Sequence, residues 1–438
     1  MSRPTPANAR SAVTPSITAE TVTLQHDVEG HPHLVHEARR GIKIATTKLP
    51  SIPSSDLMNR AQKVAAVAAE HAAAVDAASR FPAETITAAR VERLLGAAIP
   101  PELGGEGAGI GEVVDICYSL GRSCASSAMI YAMHQTKIAC LVRHGAASTW
   151  HQWLLRKIAT EQLLLASSTT EGRSGGDVRN SAAPIEWHGS KITLERQATV
   201  ISYGAAADGI VTTARRSADA ASTDQVLVAF LKSDYRLKRL NGWDAFGMRG
   251  TCSEGFTLIA SGAAEQVLPV SYGEIHRQTM MPVAHLTWSG AWAGIAASAV
   301  DRARAFVRKA AYGAGGAVPP GAAHVTRAMA SLRTLRSLIA AAVQRFETAS
   351  ADPTALETID FQTSMNMLKV NASELGVSAV MSAMQATGLS GYRNDGEFSI
   401  GRQLRDILSS PIMISNDRIM ANLATTSLLS GPPQSLCG

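Results

Sequence analysis

Apolar residues return at helical spacing from Leu57 onward, where Leu57, Ala61, Val64, Val67 and Ala68 share one face until Phe81-Pro82 interrupts the run. A second helical run over 86–95 stops at Gly96, and the stretch from Ile99 to Gly107 holds too much Gly and Pro for any regular element. The pattern predicts further helices over 111–120 and 125–143, the latter ending at His144-Gly145. Near residue 161 the character changes. Segments 163–168, 191–202, 209–214 and 225–231 are short, rich in Val, Ile and Thr, and separated by Gly- and Asp-bearing turns, which predicts a β region. Long apolar-periodic runs resume over 290–311, 322–347, 358–386 and 411–429 and predict a terminal helix bundle. No internal repeat accompanies this order.

Composition adds little to that outline but excludes some partners. A chain of 438 residues, 46% hydrophobic and 18% charged, is long enough for two or three packed units, and its alanine content favours helices with close-packed faces. The net charge of +5 is spread along the chain, so nucleic acid is not expected as a partner. Cys117, Cys124, Cys140, Cys252 and Cys437 are sparse and show no metal-ligand spacing, which suits a reducing compartment and no bound metal. No run of about 18 apolar residues is present, nor an apolar secretory core near Met1, so the expectation is a cytoplasmic protein without a membrane span. Residues 1–55, rich in Pro, Ser, Thr and Ala, are expected to be a disordered extension. Glu20, Asp27, Glu29 and Glu37 argue against a transit peptide there.

Four motifs fall in order along this outline. Phe81-Pro82 precedes the loop Pro100-Pro101-Glu102-Leu103-Gly104-Gly105; Thr170-Glu171 is followed by Gly175 and Asp177; then comes Gly247-Met248-Arg249-Gly250-Thr251-Cys252-Ser253. Gln385, Gly388, Gly391-Tyr392 and Arg405-Asp406 close the series, with Leu389 where a second glycine would be usual. Over residues 56–430 this series resembles the acyl-CoA dehydrogenase family. The resemblance implies a mainly α fold with a central β-barrel domain: an N-terminal helical domain over 56–160, a middle β domain over 161–272 and a C-terminal four-helix bundle over 273–438.

It also implies FAD, held between the β domain and the bundle, with its adenine end completed by a neighbouring subunit of a homodimer or homotetramer. Ser167, Thr169 and Thr170 would pass the isoalloxazine, and Gly175 and Gly176 would approach phosphate. Ser202 stands where a hydroxyl donates to flavin N5, beside Val200, which replaces an aromatic. Lys309, Tyr312, Gln385 and Gly388 would meet the adenosine pyrophosphate across the subunit interface. Each of these positions also fits a plain reading as turn, strand interior or solvated helix end.

Oxidising an acyl thioester requires a base for the α-proton. The family's glutamate falls on Ile414, and its alternative position on Ala284; neither can accept a proton. His285, His134 and Asp417 are the nearby substitutes, although each also suits a core, capping or ion-pairing role. His134 further maps to the helix lining the acyl pocket, and Arg249 could bind an anionic handle of the substrate or pair with Asp244 or Glu254. The leading expectation is an FAD enzyme oxidising the Cα–Cβ bond of an acyl-CoA or acyl-carrier-protein thioester with an atypical base, served by an electron-transfer partner. The alternatives are a flavin-dependent monooxygenase on the same fold, fed by a flavin reductase, and a non-catalytic subunit of a hetero-oligomeric dehydrogenase.

Overall fold

The computed structural model describes residues 25–26, 32–33, 56–171 and 178–429. In the expected disordered extension, β1 (Gln25–His26) pairs antiparallel with β2 (Pro32–His33), and the rest of residues 1–55 lies outside the described residues, as do Gly175, Gly176, Asp177 and Cys437.

Helix α1 (Asp56–Ala78) buries Leu57, Ala61, Val64 and Ala68 of the face read from the sequence, leaves Val67 half-buried, and extends the face to Ala72 and Val75. Helix α2 (Ala83–Val91) starts directly behind Pro82 and ends earlier than the apolar run, because Arg93 adopts a left-handed φ of 56° and turns Leu94 and Leu95 into the core as loop residues. Helices α3 (Ile110–Ser123) and α4 (Ala125–His144) follow, and then α5 (Thr149–Glu161), which the apolar pattern does not predict.

The middle region holds β3 (Leu165–Ser168), β4 (Ile185–His188), β5 (Lys191–Ile201), β6 (Gly209–Arg215), β7 (Gln225–Leu231), β8 (Tyr235–Asn241) and β9 (Glu254–Ala263). These form two sheets. In one, β3 runs parallel to β6, which pairs antiparallel with β7; the other has the antiparallel order β4-β5-β9-β8. Among the described residues the expected barrel does not close: only the isolated bridge Pro184↔Arg215 joins the approach to β4 with the end of β6. At the far edge, β8 presents Arg236, Lys238 and Arg239, charges that discourage further strand pairing.

The chain re-enters helix through α6 (Tyr272–Ile275), then one π-helical turn (His276–Met280), then α7 (Met281–Gly313). Helices α8 (Ala322–Ala349), α9 (Pro353–Leu356), α10 (Ile359–Thr387), α11 (Leu389–Tyr392), α12 (Gly401–Ile407) and α13 (Asn416–Leu429) complete the C-terminal part. Helix α7 is central and packs against α3, α8 and α10. Its glycines permit that: a Cβ on Gly294 would lie 2.3 Å from the Tyr118 carbonyl oxygen, and one on Gly290 would lie 2.8 Å from that of Val114. Two of the motifs meet where the parts join. Asp406 accepts a hydrogen bond from the Met248 N–H at 2.7 Å, and a Cβ on Gly247 would collide with the Arg405 backbone. Arg405 in turn pairs with Asp76 of α1, so the motif residues tie all three regions together. No described helix is long and apolar enough to cross a membrane.

Candidate functional site

One cavity of about 600 Å³ opens between the ends of β3 and β5, helix α4, the π turn, the start of α7, and the chain around Ile414. Strand alternation sends the Ser167 side chain into it while Ser168 turns away, and Thr169, Thr170, Val200 and Ser202 continue this sheet wall. Met133, Thr136 and Lys137 of α4 face it from one helix; Ala284, His285 and Trp288 of α7 face it from another. A π turn widens the helix just where Met280 and His276 reach the cavity, a device found often at functional sites.

Hydrogen bonding fixes the polarity of two lining groups. Thr251 must donate its single hydroxyl proton to the Met248 carbonyl, 2.8 Å away, so it accepts from Ser253 at 2.8 Å, and Ser253 in turn accepts from Ser202 at 2.8 Å. Ser202 therefore presents lone pairs to the cavity, the reverse of the donor role expected from the sequence. His285 donates from Nδ1 to the Met365 carbonyl at 3.0 Å, which leaves Nε2 unprotonated and without a protein partner among the described residues. Burial pushes its pKa down to about 3, so the ring stays neutral at physiological pH.

Beside His285, the Trp288 Nε1–H is buried with no hydrogen-bond partner among the described residues, as is Thr363 Oγ1. Both line the cavity, and unsatisfied buried groups there are ones that a bound ligand would pair. Across the cavity Ile414 has a left-handed φ of 50°, a costly conformation for a β-branched residue. The buried Lys369 ammonium holds that turn by donating to the Ile414 carbonyl at 2.6 Å and to Asn416 Oδ1 at 2.7 Å.

The other sequence-derived candidates lie elsewhere. His134 is fully buried outside the cavity: its Nδ1 accepts from the Leu165 N–H at 3.0 Å and its Nε2–H donates to the Leu95 carbonyl at 2.8 Å, so neither nitrogen is available as a base or to a substrate. Asp417 is exposed on the first turn of α13 and does not line the cavity. Arg249 donates to Ser79 Oγ at 2.8 Å, and Glu254, its possible partner, pairs instead with Arg239. Lys309 pairs with Glu397 on the surface, where Tyr312, Gln385 and Gly388 are also exposed, well outside the cavity lining.

Sequence reasoning missed Lys137, Trp288 and Thr363. Lys137 left a trace, being a lysine four residues after Met133 within a helix whose neighbours are almost all apolar or small.

A helical N-terminal part, two sheets and a helical C-terminal part surround one polar-edged cavity, and the sequence comparisons say which family has this plan. Residues 56–161 match the acyl-CoA dehydrogenase N-terminal domain and residues 277–429 match the acyl-CoA dehydrogenase C-terminal domain. The chain belongs to the acyl-CoA dehydrogenase family.

Among curated proteins it is similar to a 3-sulfinopropanoyl-CoA desulfinase of Paraburkholderia xenovorans, 34% identical over 18% of this chain and 20% of that one. It is also similar to a cyclohex-1-ene-1-carbonyl-CoA dehydrogenase of Geobacter metallireducens, 32% identical over 27% of this chain and 31% of that one. Both matches thus span a third or less of the relative. Among solved structures it superposes on FMN-bound TdsC of Paenibacillus sp. A11-2 with a TM-score of 0.76 at 16% identity, over 87% of this chain and 100% of that one. The methanesulfinate monooxygenase MsuC of Pseudomonas fluorescens gives 0.73 at 19% identity, over 86% and 98%. At such identities the likeness is one of fold.

Proposed function

We propose that this chain is a flavin-dependent monooxygenase built on the acyl-CoA dehydrogenase plan. The observation that carries the reading is that the two positions the resemblance gives to the family's glutamate, Ile414 and Ala284, hold no group able to take an α-proton. Ile414 and Ala284 are aliphatic; His285 is held neutral with its basicity depressed by burial; the one lining carboxylate, Glu357, is committed to Arg277 at 3.1 Å and to Gln278 at 2.8 Å. Dehydrogenation needs such a base, whereas transfer of an oxygen atom from dioxygen, with reduced flavin as the source of two electrons, does not.

The residues present suit a flavin. Ser167, Thr169, Thr170 and Ser202 would hold the polar edge of the ring, and a Ser202 hydroxyl that accepts is complementary to the N5–H of the reduced form. When bound, reduced flavin supplies the electrons with which dioxygen is activated. The chain itself does three things: Ser202 orients the ring edge, Val200, Met280 and Trp288 keep water from the cavity, and His285 Nε2 accepts a hydrogen bond from an N–H or O–H of the substrate. The structural neighbours support this reading, since they include the dibenzothiophene monooxygenase TdsC with FMN bound and the methanesulfinate monooxygenase MsuC. Reduced flavin would come from a separate reductase. FAD in place of FMN would require Lys309, Tyr312, Gln385 and Gly388 of a second copy to meet the adenosine, as the sequence resemblance implies.

Isotopically labelled dioxygen, supplied with reduced FMN or FAD and a panel of indoles, thioethers and sulfinates, is expected to leave label in a product. Anaerobic bleaching of bound flavin by acyl-CoAs, with no labelled product, would reverse the assignment. That outcome corresponds to a second reading, oxidation of an acyl thioester, which the exposed Arg179, Arg277 and Arg418 around the cavity favour because they could meet CoA phosphates.

In either case His285→Phe keeps the ring contact with Trp288, now 5.8 Å between centroids, and removes the free nitrogen. The expected result is a fall in kcat/KM of roughly 10- to 200-fold, the worth of one buried hydrogen bond to the substrate. Steady-state kinetics equal to wild type would take His285 out of the site.

A further inference from the structure

Among the described residues Lys137 is the one buried cation lining this cavity, and none of them gives it a counter-charge. It is 3% exposed, on a helix packed on all sides, and among the described residues its one hydrogen-bond contact is the Met280 thioether at 2.8 Å, a weak acceptor. Its ionisable neighbour Cys140 is a thiol that burial pushes up to about 12 and therefore carries no charge. The other deeply buried cations are served differently. Arg196 pairs with Glu171 at 3.0 Å, and Lys369 has two oxygen acceptors within 2.7 Å. Among the described residues no carboxylate pairs with Lys137, so its charge is left uncompensated, a costly state for a buried ammonium, unless something else supplies the partner.

The lining as a whole has the same sign. Among the described lining residues Lys137, Arg179, Arg277 and Arg418 outnumber one carboxylate, Glu357, which pairs with Arg277; the three arginines are exposed and the lysine is buried within. We propose that Lys137 is an anion receptor in the substrate site, pairing with a carboxylate, sulfinate, sulfonate or phosphate monoester group on a small organic substrate that enters this cavity. The inference rests on the reading that this cavity takes the substrate. Its chemistry is charge pairing alone: no bond forms or breaks at Lys137, and the Met280 side chain, unbranched and adaptable, moves aside as the anion takes the ammonium's donors. Burial lowers the lysine's pKa to about 8, so it remains mostly protonated near neutrality and an anion would hold it so.

The anion could also be the phosphate of FMN, and the test separates the two sources. Flavin-free protein is titrated with benzoate, benzenesulfinate and phenyl phosphate against benzamide by isothermal titration calorimetry, and separately with FMN against riboflavin. Wild type is expected to bind at least one anion about 10- to 100-fold more tightly than benzamide, the worth of a charge-assisted hydrogen bond. Lys137→Met and Lys137→Gln are both expected to bring that ratio to near one while leaving the ratio of FMN to riboflavin affinity unchanged. The methionine variant should also melt no lower than wild type, since it removes a charge that has no partner in the free protein. Equal binding of every anion and benzamide by wild type overturns the proposal. So does an anion preference that survives both substitutions, or a loss confined to FMN. Labelled-oxygen transfer by a wild type without anion preference would refute this inference alone; anion preference without oxygen transfer would support it and refute the oxygenase reading.

Discussion

Lowering the pH from about 7 to about 5 is expected to remove most of the protein's stability, because four buried histidines must stay neutral for the chain to remain folded. Burial is the main cause in every case: it holds His134, His144 and His151 down to about 4 and His285 down to about 3, against an ordinary value of 6.5. Between those values and 6.5 the unfolded chain binds protons that the folded chain refuses, so acid favours unfolding throughout that window. Protonation would also break a specific contact. His134 Nδ1 could no longer accept from the Leu165 N–H.

Each group is worth about 2 kcal/mol at pH 5, and four together approach the whole stability of an ordinary domain, roughly 5–15 kcal/mol. Asp406 works in the opposite direction. Burial raises its carboxyl to about 6, so the folded state gains a proton there before the unfolded state does and recovers about 1 kcal/mol as the pH falls through that value. The balance still favours unfolding. Urea midpoints followed by circular dichroism should fall steeply from pH 7 to 5, and His285→Phe should shift the acid transition downward by removing one of the four groups. A midpoint flat across that range would contradict the account.

The large outline of the fold was legible because two periods carry it. Strand β7 was read from the sequence with both ends in place, and α4 to within a residue, since each sits inside an uninterrupted apolar pattern bounded by turn residues. What was missed has local reasons. Strand β8 alternates Tyr235 and Leu237 with Arg236, Lys238 and Arg239, so an edge strand guarded by charge reads as a solvated loop. Helix α7 begins nine residues before the expected 290, at Met281, because Met281 to Thr287 is buried all round and shows no stripe. Barrel closure was an expectation from resemblance, and no local pattern in the chain could have tested it.

The lining of the candidate site was legible in part, and its polarity was not. Ser167, Thr169, Thr170, Val200, Ser202 and His285 do line one cavity, yet the direction of the Ser202 hydroxyl depends on Ser253 and Thr251, about fifty residues away in sequence. His134 and Arg249 have the right chemistry for a site, but backbone groups and Ser79 already occupy them. Residue type states what a side chain can do; only packing states whether it is free to do it.

Glu171, read from the sequence as part of a flavin loop, shows the same point with a large expected effect. Its carboxylate accepts from Ser181 Oγ at 2.8 Å and from the Ala182 N–H at 2.6 Å, and pairs with Arg196 Nη1 at 3.0 Å, with both partners almost completely shielded from water. Arg196 also donates to the Thr213 carbonyl of β6, while its Nε and Nη2 have no partner among the described residues, so its charge depends on Glu171. Removing one member of such a pair strands the other. Glu171→Ala is expected to cost about 3–5 kcal/mol, read as a lower urea midpoint at pH 7. The paired replacement Glu171→Leu with Arg196→Met should restore most of that loss, because two apolar side chains carry no desolvation penalty. Since Thr169 and Thr170 precede Glu171 directly and line the cavity, the single variant should also bind flavin more weakly at temperatures where it is still folded. If Glu171→Ala unfolds at the wild-type urea concentration, the pair contributes nothing, and the sheet wall of the cavity must be held by some other contact.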